Sequence, residues 1–312
     1  MKRNPARKLD PETMLAVAKA RERQERRLIS YLIALAVLVL GLGLLGWFFW
    51  PEDPPRFTIA AYDAVATPGE SISLYARVEP ENKPRAEKLG GMDVLFQIIA
   101  TKRAETLATD EQGTAVLEFQ APAANGPHEF SVRYQHKDEQ KNVASDHRGR
   151  VFIWPAKTKL LVVDVDHALA DGVDALGNAG SAAPTLHAGA ATSLGTLGSR
   201  YKIVYLSAAA NQPSSYKKLR AWLRQAQLPD GPLLAPWKPV AADDRDTFTA
   251  GQIEALKKRF PEPAVGIAGR EAEARMYVEA GWKSVLIGDA ERLPPRASAI
   301  ANWAELPKEP GQ

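Results

Sequence analysis

Hydrophobic and polar positions form a different pattern in each of three parts of the chain, and the first part is one long apolar stretch. From Leu28 to Trp50 the sequence carries no charge. A helix of that length reaches about 35 Å, enough for a bilayer core of about 30 Å. Aromatic residues at positions 47–50 close the stretch, as at a membrane–water boundary. The pattern predicts an uncleaved transmembrane helix over residues 28–50.

The second part, residues 57–155, has the pattern of short strands. Ile72, Leu74 and Ala76 alternate with polar residues, which is the period of a strand with one buried face. Turn sequences, such as Thr-Pro-Gly-Glu at 67–70, separate the runs. This spacing predicts an all-β sandwich that serves as a spacer or as a protein-binding module.

The third part alternates apolar runs with helical patterns. The run from Leu160 to Val163 is continuous, as in a strand buried on both faces of a parallel sheet, and Asp164 follows it. Further apolar runs lie at 201–207, 231–235, 264–268 and 284–287, and helical patterns lie at 214–225, 250–259 and 271–280. The alternation predicts a doubly wound parallel sheet, in which ligands bind beyond the carboxyl ends of the strands.

Composition narrows the classes of function and orients the predicted span. The net charge of +3, from 40 basic and 37 acidic residues, argues against a nucleic-acid partner. The chain has no cysteine, which excludes disulfides, cysteine metal sites and a thiol nucleophile. Basic residues dominate residues 1–27, so the positive-inside rule predicts a bacterial inner-membrane protein with its N-terminus in the cytoplasm. Residues 51–312 would then lie in the periplasm or outside the cell.

Two aspartates follow the first buried strand of the third part. Asp164 and Asp166 stand two residues apart, so both side chains point to one side if the strand continues. They could hold a magnesium ion, or one could attack phosphorus while the other handles the leaving-group proton. An ordinary loop with capping aspartates would have the same sequence, so both interpretations stay open.

The sequence LLVVDVDHAL, followed by VYLSAA and LPDGPLLAPW, resembles the haloacid dehalogenase superfamily and, more narrowly, its lipin-type phosphatidate phosphatase domains. This resemblance covers about residues 157–290, with later blocks at Phe260-Pro261 and at 266–281. The sequences ATPGESISLYARV, TDEQGTAVLEF and GPHEFSVRY in the preceding part are similar to bacterial immunoglobulin-like domains.

The resemblance to the phosphatases implies a role for each matching residue. Asp164 would be the nucleophile that forms an aspartyl-phosphate, and Asp166 would be the general acid/base. Ser207 would hydrogen-bond the phosphoryl oxygens. Mg²⁺ would lie between Asp164, the backbone carbonyl of Asp166 and the last acidic motif, where Glu273 stands.

Three motif positions depart from the family pattern. Ala168 replaces a threonine, Thr249 replaces the lysine that neutralises the phosphate, and Gly269 replaces a metal-binding Asp or Asn. The candidate replacements for the missing cation are Lys238, Arg245, Lys257 and Arg270. Since one lost donor can cost roughly 10²–10³ in rate, these departures argue against efficient hydrolysis.

Two hypotheses on function remain. One is a membrane-anchored, externally facing phosphatase-like domain whose hydrolysis of a phospholipid or small phosphate is weak or lost. The other is a non-catalytic scaffold that binds an envelope protein partner. The predicted segments are a cytoplasmic basic helix (1–27), a transmembrane helix (28–50), a linker (51–56), an immunoglobulin-like sandwich (57–155), a haloacid dehalogenase-like α/β domain (156–290) and a proline-rich tail (291–312).

Two smaller features also have alternative interpretations. The Gly/Ala/Ser-rich segment 170–199 is either a mobile lid over the site or a loosely packed helix with flexible flanks. His167, next to Asp166, either contacts a phosphate or occupies a plain loop position. The prolines of 291–312 predict an irregular or disordered end.

Overall fold

The computed structural model describes residues 11–48, 56–81, 89–134, 145–178 and 180–306. The chain divides into two compact units, Met1–Pro54 and Pro55–Gln312. The described part of the first unit is one continuous helix, α1 (Pro11–Phe48). The predicted linker lies outside the described residues except for Arg56.

The prediction of a transmembrane helix over 28–50 is wrong. None of the helices in the described residues combines the length and the apolar character that crossing a bilayer requires. The apolar stretch does not form a separate element, because α1 runs into it without a break from a charged stretch that begins at Pro11. The membrane partner and the inner-membrane location, with residues 51–312 outside, rested on this helix and are corrected with it.

The first half of the second unit consists of eight strands in two sheets. The strands are β1 (Phe57–Ala61), β2 (Ala64–Ala66), β3 (Ser71–Pro80), β4 (Asp93–Ile98), β5 (Arg103–Ala108), β6 (Thr114–Gln120), β7 (Gly126–Tyr134) and β8 (Ser145–Ile153). One sheet has the order β1-β3-β6 and the other β2-β8-β7-β4-β5. Leu74, Leu117, Phe96 and Phe130 are fully buried in a common core. Alternate residues of these strands supply that core because strand side chains alternate between faces.

The second half alternates strands and helices. The elements are β9 (Leu160–Asp164), β10 (Ala170–Asp171), β11 (Thr185–Leu186), α2 (Ala190–Leu197), β12 (Lys202–Leu206), α3 (Pro213–Gln225), β13 (Leu233–Leu234), α4 (Arg245–Arg259), β14 (Val265–Ala268), α5 (Glu271–Glu279), β15 (Lys283–Ile287) and β16 (Ala297–Ile300). Strands β10 and β11 pair as a small antiparallel sheet.

Six of these strands form a parallel sheet in the order β13-β12-β9-β14-β15-β16. Counted along the chain from β9, leaving out the β10–β11 pair, this order is 3-2-1-4-5-6. The direction of winding reverses between β9 and β14, and such a reversal leaves a crevice beyond the carboxyl ends of the two strands. Asp164 ends β9, and Gly269 follows β14. The topology therefore places these two residues at the mouth of that crevice.

The predicted fold class, a membrane span and an all-β sandwich ahead of an α/β domain, is wrong. The described residues form a mixed α/β structure with four sheets, and residues 55–312 form one compact unit. Ala60 and Tyr62 pack in the same buried cluster as the parallel sheet, and the rings of Tyr62 and Tyr216 lie 4.5 Å apart. The Asp63 carboxylate lies 3.0 Å from the Arg220 guanidinium on α3, and both side chains are buried.

Two segments contain packed structure: 170–199, predicted as either a lid or a loosely packed helix, and 291–312, predicted as an irregular tail. Within 170–199, Leu194 and Leu197 of α2 are buried in the core of the parallel sheet. Within 291–312, β16 extends that sheet, and Trp303 is fully buried. The indole N–H of Trp303 donates a hydrogen bond of 2.8 Å to the carbonyl of Ala168. Residues 307–312 lie outside the described part of the chain.

Candidate functional site at the carboxyl edge of the parallel sheet

Asp164 turns its carboxylate back onto the chain that follows it. Residues Val165–Leu169 form a single π-helical turn. One oxygen of Asp164 accepts hydrogen bonds from the backbone N–H groups of His167 and Ala168, at 2.8 and 3.0 Å. Burial, and then the charge of Glu273, raise the pKa of Asp164 to about 7. The predicted nucleophile thus also caps its own loop.

Asp166 joins the end of β9 to the end of β12. Its Oδ1 atom accepts a hydrogen bond of 2.5 Å from the hydroxyl of Ser207, which is fully buried. Its Oδ2 atom accepts the backbone N–H groups of Ala208 and Ala209, at 2.8 and 2.9 Å. Burial raises the pKa of Asp166, against the effect of these donors. Asp166 and Ser207 therefore meet, as the sequence predicts, but they bond to each other.

Glu273 enters the site from α5. Its side chain is buried, and its Oε2 atom accepts the N–H groups of Gly269 and Arg270, at 3.1 and 3.2 Å. The Arg270 guanidinium donates to its Oε1 atom at 2.7 Å and reaches Asp246 at 2.9 Å. Burial opposes the ionisation of Glu273, but His167 and Arg270 outweigh it and lower the pKa.

His167 stands between the two carboxylates. Its Nδ1 atom lies 3.0 Å from Oε1 of Glu273 and 3.4 Å from Oδ2 of Asp164. Both carboxylates lie within ion-pair distance of this nitrogen, which is itself buried. The contacts with Asp164 and then with Glu273 raise the pKa of His167 to about 10. Asp164, His167 and Glu273 each bring one ligand atom to within 4.8 Å of the other two.

Packing explains why position 269 is a glycine and not the metal-binding Asp or Asn of the family. A Cβ atom at this position would lie 2.5 Å from the backbone nitrogen of Ala168 and 2.5 Å from the Cβ of His167. The π-helical turn thus fills the space that a side chain at 269 would need. At the lysine position of the family, Thr249 is buried on α4.

Of the four candidate replacement cations, only Arg270 lies at this cluster. Each of the other three has an acidic neighbour elsewhere: Lys238 with Asp110 at 4.0 Å, Arg245 with Asp174 at 2.5 Å and Lys257 with Glu254 at 3.8 Å. Arg270 already bridges two carboxylates, so its charge is shared before any phosphate arrives.

The predicted Mg²⁺ ligands are only partly assembled. Mg²⁺ takes oxygen ligands in near-octahedral geometry. Asp164 and Glu273 face one another across His167. Both carboxylate oxygens of Asp166 are hydrogen-bonded to the loop after β12, so Asp166 would contribute only the backbone carbonyl that the resemblance implies. The donors that the structure gathers are two carboxylates and one imidazole nitrogen, and they do not fit the all-oxygen set that Mg²⁺ prefers. The roles given to Asp164, Asp166, Ser207 and Glu273 stay predictions.

The sequence offers His167 and Arg270 as candidates but does not group them with Glu273. For His167 it leaves a phosphate contact and a plain loop position open, and it gives Arg270 as one of four candidate cations. The signal that could have found His167 is its spacing: the third residue after a strand-ending aspartate returns over that aspartate when the loop forms a single helical turn.

Comparisons with known proteins add no function. No family model matches the chain, and no curated protein matches it. Weak likenesses are found to the fibronectin(III)-like modules of Clostridium thermocellum CbhA (18% identity, 33% of this chain and 48% of that chain, TM-score 0.23). Others are to a Parabacteroides merdae β-glucuronidase (10%, 75% and 35%, TM-score 0.30) and a Photobacterium damsela sialyltransferase (7%, 73% and 42%, TM-score 0.20). The chain spans less than half of each of these three structures.

Proposed function

We propose that the α/β part of this chain is a haloacid dehalogenase-like, phosphatase-derived domain in which phosphomonoester hydrolysis is weak or lost. Two features support the derivation: the ordered sequence blocks over 157–290, and the position of Asp164 and Asp166 at the reversal point of a parallel sheet.

One observation supports the loss of hydrolysis. The hydrogen-bond donors that could bind a phosphate already donate to the protein's own carboxylates. Phosphoryl transfer depends on donors and cations aimed at the charge that develops on the phosphate. Here the N–H groups of His167 and Ala168 point at the carboxylate of Asp164, and the donors after β12 point at Asp166. A phosphate would have to displace these carboxylates from their own partners.

The absence of the family's cation and metal ligand makes the expected loss of rate large. Neither Thr249 nor Gly269 can supply the cation or the metal ligand of the family, and Arg270 is held by Glu273 and Asp246. If each lost group costs roughly 10²–10³ in rate, the two together remove roughly 10⁴–10⁶. Any remaining turnover would be slower by that factor than in a domain that keeps both groups.

Phosphate release by the purified full chain tests this proposal. The substrates are phosphatidate in detergent micelles and an aryl phosphate, each with and without Mg²⁺. Asp164→Asn removes the predicted nucleophile, and Asp146→Asn, at an exposed position of β8, is the matched control. We expect wild type, Asp164→Asn and Asp146→Asn to release phosphate at rates within about tenfold of one another. Turnover that exceeds Asp164→Asn by hundredfold or more, and that persists in Asp146→Asn, would show an active phosphatase instead.

A second candidate function, ligand binding without turnover, is favoured by a pocket away from this cluster. It has a volume of about 360 Å³ and lies between β3 and α4. Tyr75 and Trp237 line it and stack with ring centroids 4.1 Å apart, and Arg259 lines it while paired with Glu70 at 2.8 Å. Flat aromatic surface beside a few polar groups is typical of small-molecule sites. A protein of this kind would keep its ligand binding in Asp164→Asn.

A further inference from the structure

The spacing of the donor atoms around His167 matches a metal coordination sphere. Ligand atoms that lie about 2.1 Å from an ion stand roughly 3.0 Å apart in an octahedral sphere and roughly 3.4 Å apart in a tetrahedral one. The Nδ1 atom of His167 lies 3.0 Å from Oε1 of Glu273 and 3.4 Å from Oδ2 of Asp164. Two of the three separations among these atoms thus match a coordination sphere, and each of the three residues brings one ligand atom to within 4.8 Å of the other two.

The nitrogen of His167 faces both carboxylates from a buried position. Its Nδ1 atom is buried and lies within 3.4 Å of a carboxylate oxygen of Asp164 and of one of Glu273. A metal ion between these groups would bind the nitrogen lone pair and take the place of the proton that this nitrogen otherwise carries between the two carboxylates.

The surrounding contacts are those that orient metal ligands. Backbone N–H groups hold the carboxylate of Asp164, and Arg270 together with two N–H groups holds that of Glu273. Such outer hydrogen bonds fix the direction of ligand oxygens before the ion arrives. Gly269 packs against the turn that carries His167, which fixes that residue between the carboxylates.

We propose that Asp164, His167 and Glu273 bind one divalent ion of the zinc class in preference to Mg²⁺. Imidazole nitrogen suits Zn²⁺ and similar transition metals, whereas Mg²⁺ prefers oxygen and keeps several waters. The ion lies in the crevice between β9 and β14 and draws its ligands from β9, from the turn that follows it, and from α5. The site uses the same crevice as the proposed phosphatase-derived domain, but it requires no turnover.

Zinc retention by the full chain tests the site without any substrate. The protein is stripped with a chelator, equilibrated with Zn²⁺ in the presence of excess Mg²⁺ and dialysed, and its bound metal is measured by mass spectrometry and calorimetry. His187→Ala is the matched control for His167→Ala, because the two histidine side chains are 33% and 32% exposed. We expect one Zn²⁺ per chain in wild type and His187→Ala. In His167→Ala the affinity should fall by more than about 100-fold, since even outer partners of metal sites contribute 10–100-fold.

An NMR titration of the wild-type imidazole nitrogens gives a readout that needs no variant. Zn²⁺ should move the Nδ1 resonance of His167 and leave that of His187 in place. The proposal is overturned if wild type retains no Zn²⁺, if His167→Ala binds as tightly as wild type, or if the resonance of His167 does not move. Phosphate release is measured separately, so an active phosphatase would contradict the proposed loss of hydrolysis without deciding whether His167 binds zinc.

Discussion

The buried ion pair between Asp63 and Arg220 offers a direct test of the single compact unit. Their side chains are 1% and 5% exposed, and the charged atoms lie 3.0 Å apart. At an effective dielectric constant of 20, two unit charges at this distance attract by about 5–6 kcal/mol. Arg220→Met removes that attraction and leaves the carboxylate of Asp63 buried without its cation, for which losses of about 3–5 kcal/mol are typical. We therefore expect the free energy of unfolding to fall by about 3–5 kcal/mol.

Urea unfolding followed by tryptophan fluorescence measures this loss. Because Asp63 precedes β2 and Arg220 lies on α3, the two halves of the unit should lose stability together, in one shifted transition. Arg148→Met is the matched control: that arginine pairs with Glu129 at 3.5 Å, and their side chains are 70% and 48% exposed. It should cost less than about 1 kcal/mol. A loss below about 1 kcal/mol in Arg220→Met, or two transitions of which only one moves, would refute the reasoning.

Two further predictions concern the turn after β9 and the pH dependence of stability. Gly269→Ala should lower the free energy of unfolding in urea by at least about 1–3 kcal/mol, because its Cβ would meet the backbone of Ala168. Gly195→Ala is the control and should not lower it, because the space around Gly195 is open. Equal stabilities of the two variants would contradict this packing. Burial, and then the charge of Arg220, lower the pKa of His147 to about 3, and its Nδ1 accepts the N–H of Ala61 at 3.0 Å. The unfolded chain takes up a proton near pH 6.5, so stability should fall as the pH drops from about 6.5 towards 3, by up to about 1.4 kcal/mol per pH unit. His147→Gln should weaken that slope, and identical slopes in both proteins would count against it.

The strands of the parallel sheet could be read from the sequence because their signal is local. The apolar run at 160–163 gives β9, and the run at 264–268 contains β14. The sequence places both Asp166 and Ser207 beyond the carboxyl ends of parallel strands, and the two side chains meet there. In each case the chain itself carries the information, since strand length, burial on both faces and the position of the end follow from a few consecutive residues.

The rest depended on contacts between distant residues. The two halves of the second unit are joined by the ion pair of Asp63 with Arg220 and by the ring contact of Tyr62 with Tyr216. In the sequence, each of these residues looks like an ordinary surface or core position. The grouping of His167 with Glu273 depends on a π-helical turn, which has no hydrophobic period to predict it. The prediction of a transmembrane helix over 28–50 was wrong because it was based on the length of the apolar stretch alone. It did not consider that a charged helical segment continues into that stretch.

The hydrogen bond from Trp303 to Ala168 has a consequence for the order of events during synthesis. The turn that carries His167 emerges from the ribosome long before Trp303, yet Trp303 hydrogen-bonds the carbonyl of Ala168 in that turn, and β16 borders the sheet to which the turn belongs. A nascent chain that has emerged only as far as β15 holds the ligand residues 164, 167 and 273 on an incomplete sheet. Since a chain folds progressively as it is made, the cluster reaches its final surroundings only when one of the last described segments has been translated.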